Sequence, residues 1–112
     1  MSDDIQSRFD QVRLSYIDNL KKKRSRIKQL WNNLSNDWQT DEFDELHLHV
    51  HSIAGGAETF GFAEVSKTAR TAVNLIRATE KHTPLDKTGE NFQNLNIALI
   101  ELDKVLTSAV DG

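Results

Sequence analysis

The run Leu46-His47-Leu48-His49-Val50-His51-Ser52-Ile53-Ala54-Gly55-Gly56-Ala57-Glu58-Thr59-Phe60-Gly61 decides how this chain folds. Its first half alternates apolar residues with histidines, and on a strand three histidines would share one face. The longer pattern points elsewhere. Leu46, Val50, Ile53, Ala57 and Phe60 recur at spacings of four, three, four and three, which is the stripe of an amphipathic helix. On that helix His47 and His51 lie one turn apart on one face, and His49 points away. The helix is expected over Asp41–Phe60, capped by Thr40 or Asp41 and stopped by Gly61.

Two adjacent glycines inside this helix need a reason, because each costs roughly 1 kcal/mol relative to alanine. Gly55 follows His51 by four residues and is therefore its neighbour on the helix surface. With no side chain there, the imidazole stays open to an incoming molecule. Gly56 is read as part of the same opening.

The rest of the chain supplies three more stripes. Ile5, Phe9, Val12, Tyr16 and Leu20 are followed, after the basic run Lys21–Arg26, by Ile27, Leu30, Trp31 and Leu34. No glycine or proline interrupts them, so one long helix is expected over about Asp4–Asn36, capped by Asp3 or Asp4. Its N-terminal half should either pack across one end of the fold or extend from it. Phe62, Val65, Ala69, Ala72 and Ile76 mark a helix over Ala63–Lys81 that ends before Pro84. Phe92, Leu95, Leu99, Leu102 and Leu106 mark a last helix over Thr88–Ala109, with Thr88 or Asp86 as cap. Four amphipathic helices with short connections bury their stripes as an all-α, antiparallel up-down four-helix bundle. The long N-terminal helix, or an extra N-terminal helix in its place, completes one domain over residues 1–112.

Composition narrows the function. The chain has 112 residues, enough for one core, and no cysteine, which excludes disulfides and thiolate chemistry. Net charge is −3, and the basic run Lys21–Lys28 lacks interleaved aromatic residues, so a solvated helix face is expected rather than a nucleic-acid surface. No apolar run approaches the roughly 18 residues that would span a membrane. Met1-Ser2-Asp3-Asp4 is acidic, unlike a signal peptide, and a cytoplasmic setting is expected. Met1 reads as a natural start, so the chain is expected to be a whole protein or the front domain of a longer one. Gly55-Gly56 lacks a following Lys-Ser/Thr and is no phosphate-binding loop. Trp31 and Trp38 read as core and core-edge residues.

The segment Leu46–Ile76 resembles the histidine-containing phosphotransfer (HPt) domain family. That family's usual motif is a histidine, two residues, a lysine and a glycine, with a second glycine about six positions on. Here His51 matches the phosphoacceptor, Gly55 and Gly61 the two glycines, and Val65 and Ala69 the apolar and small positions that follow. Ala54 departs from the pattern by standing where many members have lysine. The resemblance implies a phosphocarrier without kinase activity of its own. It would take a phosphoryl group on His51 from the aspartyl phosphate of a response-regulator receiver domain and pass it to another receiver. A hybrid sensor histidine kinase is a further implied partner. It implies no resident cofactor, with magnesium supplied by the receiver. The chemistry suits imidazole, whose pKa near 6.5 leaves much of it a neutral nucleophile at pH 7.

A phosphoryl group needs counter-charge, and Ala54 offers none. In a hairpin centred on Gly61, His51 lies level with Arg70 or Thr71. Arg70 is the first candidate to contact the phosphate, with Lys67 and Asn74 one turn to either side. His47 is a candidate to lower the His51 pKa through like-charge repulsion. Two other classes remain open on the residues alone: a helical adaptor that does not carry phosphate, and a bundle that binds metal through His47 and His51.

Overall fold

The computed structural model describes residues 2–111. Helix α1 spans Ser2–Asn36, α2 spans Thr40–Gly56, α3 spans Ala63–Arg77 and α4 spans Glu90–Asp111. A single 3₁₀ turn over Ala57–Phe60 links α2 to the α3 side. The result is the expected all-α up-down bundle, with α2 against both α1 and α3, and α4 against both α3 and α1.

The stripes meet where their spacing predicts. Leu20, Ile27, Leu30 and Leu34 of α1 join Leu46, Val50 and Ile53 of α2, Val65, Ala69 and Ile76 of α3, and Leu95, Leu102 and Leu106 of α4. Each leucine or isoleucine removed from water in this way contributes roughly 1.5–3 kcal/mol. Small residues are buried with them: Ala54 of α2, Ala57 of the 3₁₀ turn, and Ser66, Ala69 and Ala72 of α3. The two tryptophans lie as expected. Trp31 is buried, stacks on Phe92 and donates to Asn96 Oδ1 at 2.8 Å. Trp38 is half-buried, packs on Phe43 and donates to the Lys81 carbonyl at 2.8 Å.

Lys21, Lys22 and Lys28 of the basic run are exposed, as expected of a solvated face, while Lys23, Arg24 and Arg26 are tied to neighbouring helices. Arg26 grips Glu45 of α2 with two donors, one of them at 2.8 Å. With His49 adding a further contact at 3.0 Å, the Glu45 carboxyl is held at about 2. Lys23 donates to Ser52 Oγ at 2.7 Å, and Arg24 lies 3.7 Å from Asp103 of α4.

Several boundaries differ from the sequence expectation, each for a visible reason. α1 begins at Ser2, so Asp4 lies inside the helix; the cap expected at Asp3 falls outside the described side chains. α2 ends at Gly56 rather than Phe60, because the chain tightens into the 3₁₀ turn before Gly61 reverses it at φ 90°. Its N-cap is Gln39, without a side-chain bond, while the Thr40 hydroxyl turns to the Lys81 carbonyl. α3 stops at Arg77, four residues early, where Trp38 and Thr40 hold the chain at Lys81. Asp86 closes a turn by accepting from Thr88 N and Oγ1, and α4 starts after it at Glu90.

The N-terminal half of α1 extends from the bundle. A helix of 35 residues is about 52 Å long, which accounts for most of the molecule's 56 Å length. The radius of gyration of 15.5 Å exceeds the roughly 13 Å of a compact chain this size. Ile5, Phe9 and Val12, read as part of the buried stripe, are 70%, 49% and 54% exposed because no other helix reaches them. Cover begins at Arg13, which donates to the Phe60 carbonyl at 3.1 Å and lies over the Phe62 ring, and continues at Tyr16, which stacks on Phe60 at 4.2 Å.

Candidate functional site

α2 puts His51 on its outer flank, on the α3 side. The imidazole is exposed and lies in a shallow groove of about 310 Å³ between the two helices. Ala54 and Gly55 line the α2 side of this groove, and Arg70, Val73, Asn74 and Arg77 the α3 side. Leu48, three residues before His51, is 65% exposed and adds an apolar element to the same outer surface. Ser52, held by Lys23, borders it on the α1 side.

The two glycines separate in role. A Cβ at Gly55 would meet nothing within 4 Å, so the space beside His51 is open. A Cβ at Gly56 would lie 3.2 Å from the Tyr16 hydroxyl. Gly56 therefore makes room for α1, which corrects the expectation that it opens access to His51. No local spacing announces this, since the partner lies 40 residues away in the chain.

Of the three α3 residues expected near the histidine, the fold brings two. Arg70 and Asn74 line the groove. Lys67 instead lines the groove between α3 and α4, with Thr71, Asn94 and Glu101. Hairpin arithmetic fixes level along α3 but not the side of the helix, and Lys67 falls on the other side. The sequence reading missed Arg77. Its spacing was visible, since 70, 74 and 77 form one helical face. A helical side chain leans towards the N-terminus, so the Arg77 guanidinium reaches back towards the histidines from beyond their level.

The two arginines are not equivalent. Arg70 Nη2 is 3.0 Å from Glu58 Oε2, both groups being more than half exposed. Arg77 has no carboxylate partner among the described residues. His47 lies with its ring centroid 6.3 Å from that of His51. Its own pKa is lowered, first by burial and then by the charges of Arg77 and His51. Among the described residues no group of three or more His, Cys, Asp or Glu side chains converges as a metal site. His47, His49 and His51 do not share a face, and His49 is occupied by Glu45.

A profile of the Hpt domain matches residues 11–108, which include His51, all of α2 and α3, and most of α1 and α4. The chain belongs to the Hpt domain family. No curated protein and no solved structure matches it significantly. Hpt domains are phosphocarriers rather than enzymes, act in phosphorelays through histidine phosphotransfer, and interact with receiver domains of response regulators. No helix among the described residues is long and apolar enough to cross a membrane.

Proposed function

We propose that His51 of this Hpt domain accepts a phosphoryl group from a receiver-domain aspartyl phosphate and returns it to a second receiver. One observation carries the reading: an exposed imidazole beside open space at Gly55, in a groove with two guanidinium groups. In the forward step a neutral ring nitrogen attacks phosphorus while the other keeps its proton. The N–P bond forms as the aspartyl O–P bond breaks, and the carboxylate leaves with the receiver. The receiver supplies magnesium and the acidic residues around its aspartate.

Arg77 and Arg70 then take over the charge that the receiver releases. A phosphoryl group near −2 is stabilised by charge-assisted hydrogen bonds from a planar guanidinium. Arg77 is the more available of the two, and Asn74 adds a neutral donor. Leu48 and the bare backbone at Gly55 give the receiver a small, partly apolar landing surface, which suits a transient interface.

The test is incubation with a panel of phosphorylated receivers. Wild-type protein should gain an acid-labile label that is absent from His51→Gln. Label that persists on the variant would move the acceptor elsewhere, with His47 the first suspect.

A further inference from the structure

Glu58 is the one acidic residue that continues the line of His51, Ala54 and Gly55. It sits in the 3₁₀ turn that ends α2, and its backbone is pinned on both sides. Its N–H donates to Ser66 Oγ at 2.8 Å, and its carbonyl accepts from Gly61 N–H at 3.0 Å. Ser66 is fully buried, so this anchor belongs to the core. The side chain leaves that fixed point towards solvent and meets Arg70 at 3.0 Å. Arg70 thus has two anionic partners within its setting: a carboxylate outside the groove that is always present, and a phosphoryl group inside it that is present only when His51 carries one.

We propose that Glu58 is a positioning residue for this phosphotransfer. It holds Arg70 in the unphosphorylated domain and yields it to the phosphoryl group, so that Glu58 sets how long phosphohistidine persists. This rests on the phosphocarrier reading of His51. The pair is suited to exchange. Both side chains are more than half exposed, and ion pairs of this kind are weak and screened. A phosphoryl group carries nearly twice the charge of a carboxylate and three acceptor oxygens. Without such a competitor, Arg70 would hold the phosphate more tightly alongside Arg77, and the group would be slower to leave. With it, the domain keeps a carrier's intermediate affinity.

The experiment uses the full chain and phosphoramidate, a small donor that needs no partner protein. Its N–P bond breaks as the imidazole N–P bond forms, and ammonia leaves. Phosphorus NMR follows the loss of label from wild type, Glu58→Gln, Arg70→Ala and the double variant, with melting curves for each. Glu58→Gln should lengthen the phosphohistidine half-life by about three- to fivefold, the scale of a weak exposed pair, without moving the melting temperature. Raised salt should narrow that difference. In the Arg70→Ala background the Glu58 substitution should change nothing. An unchanged half-life in Glu58→Gln would overturn the proposal. So would a full effect that survives in the double variant, because Glu58 would then act on the phosphate directly. Wild-type protein that takes no label on His51 would instead sink the phosphocarrier reading itself, and this proposal with it.

Discussion

Two grooves of the bundle are similar in size and opposite in character. The one between α1 and α4, about 390 Å³, is floored by Ile27, Trp31, Leu99, Leu102 and Leu106. Its polar rim is partly committed: Arg24 faces Asp103, and Asn96 takes the Trp31 indole. The one between α2 and α3, about 310 Å³, presents His51, Arg70, Asn74 and Arg77. The larger, more apolar groove contains no histidine. The smaller one contains a histidine within a partly uncommitted set of cations. The difference shows that volume is a poor guide to chemistry in this fold. A group that must be handed on is served by a shallow surface, since a deep pocket would enclose the phosphoryl group and exclude the receiver.

The comparison breaks most sharply at His51. His51→Gln should abolish phosphoryl acceptance while the melting temperature stays nearly constant, because exposed side chains of this kind contribute within about 0.5 kcal/mol. Retained acceptance would mean that the α2–α3 groove is not the reactive one.

The next effect separates the two glycines. Gly55→Leu should slow transfer from a phosphorylated receiver by about tenfold or more while leaving stability equal or higher by up to ~1 kcal/mol, since leucine is the better helix former and the space is open. Gly56→Ala should act elsewhere: transfer is retained, and the Tyr16 hydroxyl has to give by a few tenths of an ångström, which a melting curve reads as a small change in stability. Equal transfer rates for wild type and Gly55→Leu, measured by rapid quench, would remove the access argument.

These two residues also show how far the sequence could be read. Stripes in the second, third and fourth helices predict their buried faces well, because each is covered along its length. The stripe at Ile5, Phe9 and Val12 has the same spacing and is exposed; periodicity reports a face but not what covers it. Gly61 reveals the level of the hairpin, and Arg70 and Asn74 follow from it. The side of α3 facing the histidine depends on how the two helices roll against each other, which brings Ala54 and Val73 into one groove. That is why Lys67 was expected and Arg77 was not. Gly56 was legible only as an anomaly, since its reason is a tyrosine on another helix.

A smaller effect ranks the cations of the polar groove. Arg77→Ala should shorten the phosphohistidine half-life by about three- to fivefold, and Arg70→Ala by less, because Arg70 is shared with Glu58. The reverse order would make Arg70 the principal contact. The smallest effect belongs to the apolar groove. Ile100, 48% exposed at its edge, should tolerate serine with unchanged transfer and a stability change within about 0.5 kcal/mol. Impaired transfer in Ile100→Ser would show that the two grooves communicate.

The projecting end of α1 has a consequence for how the molecule breathes. An isolated helix of about a dozen residues is marginal in water, and residues 4–12 are all exposed, the first tertiary contact coming at Arg13. Their amides should exchange with deuterium through local opening at little free-energy cost, whereas those of α1 near Ile27 and Leu30, like those of α2 near Val50 and Ile53, should exchange only when the whole bundle opens. One continuous helix would thus hold the least and some of the most protected amides of the chain, with the crossover near Tyr16 and Leu20, where side-chain burial sets in.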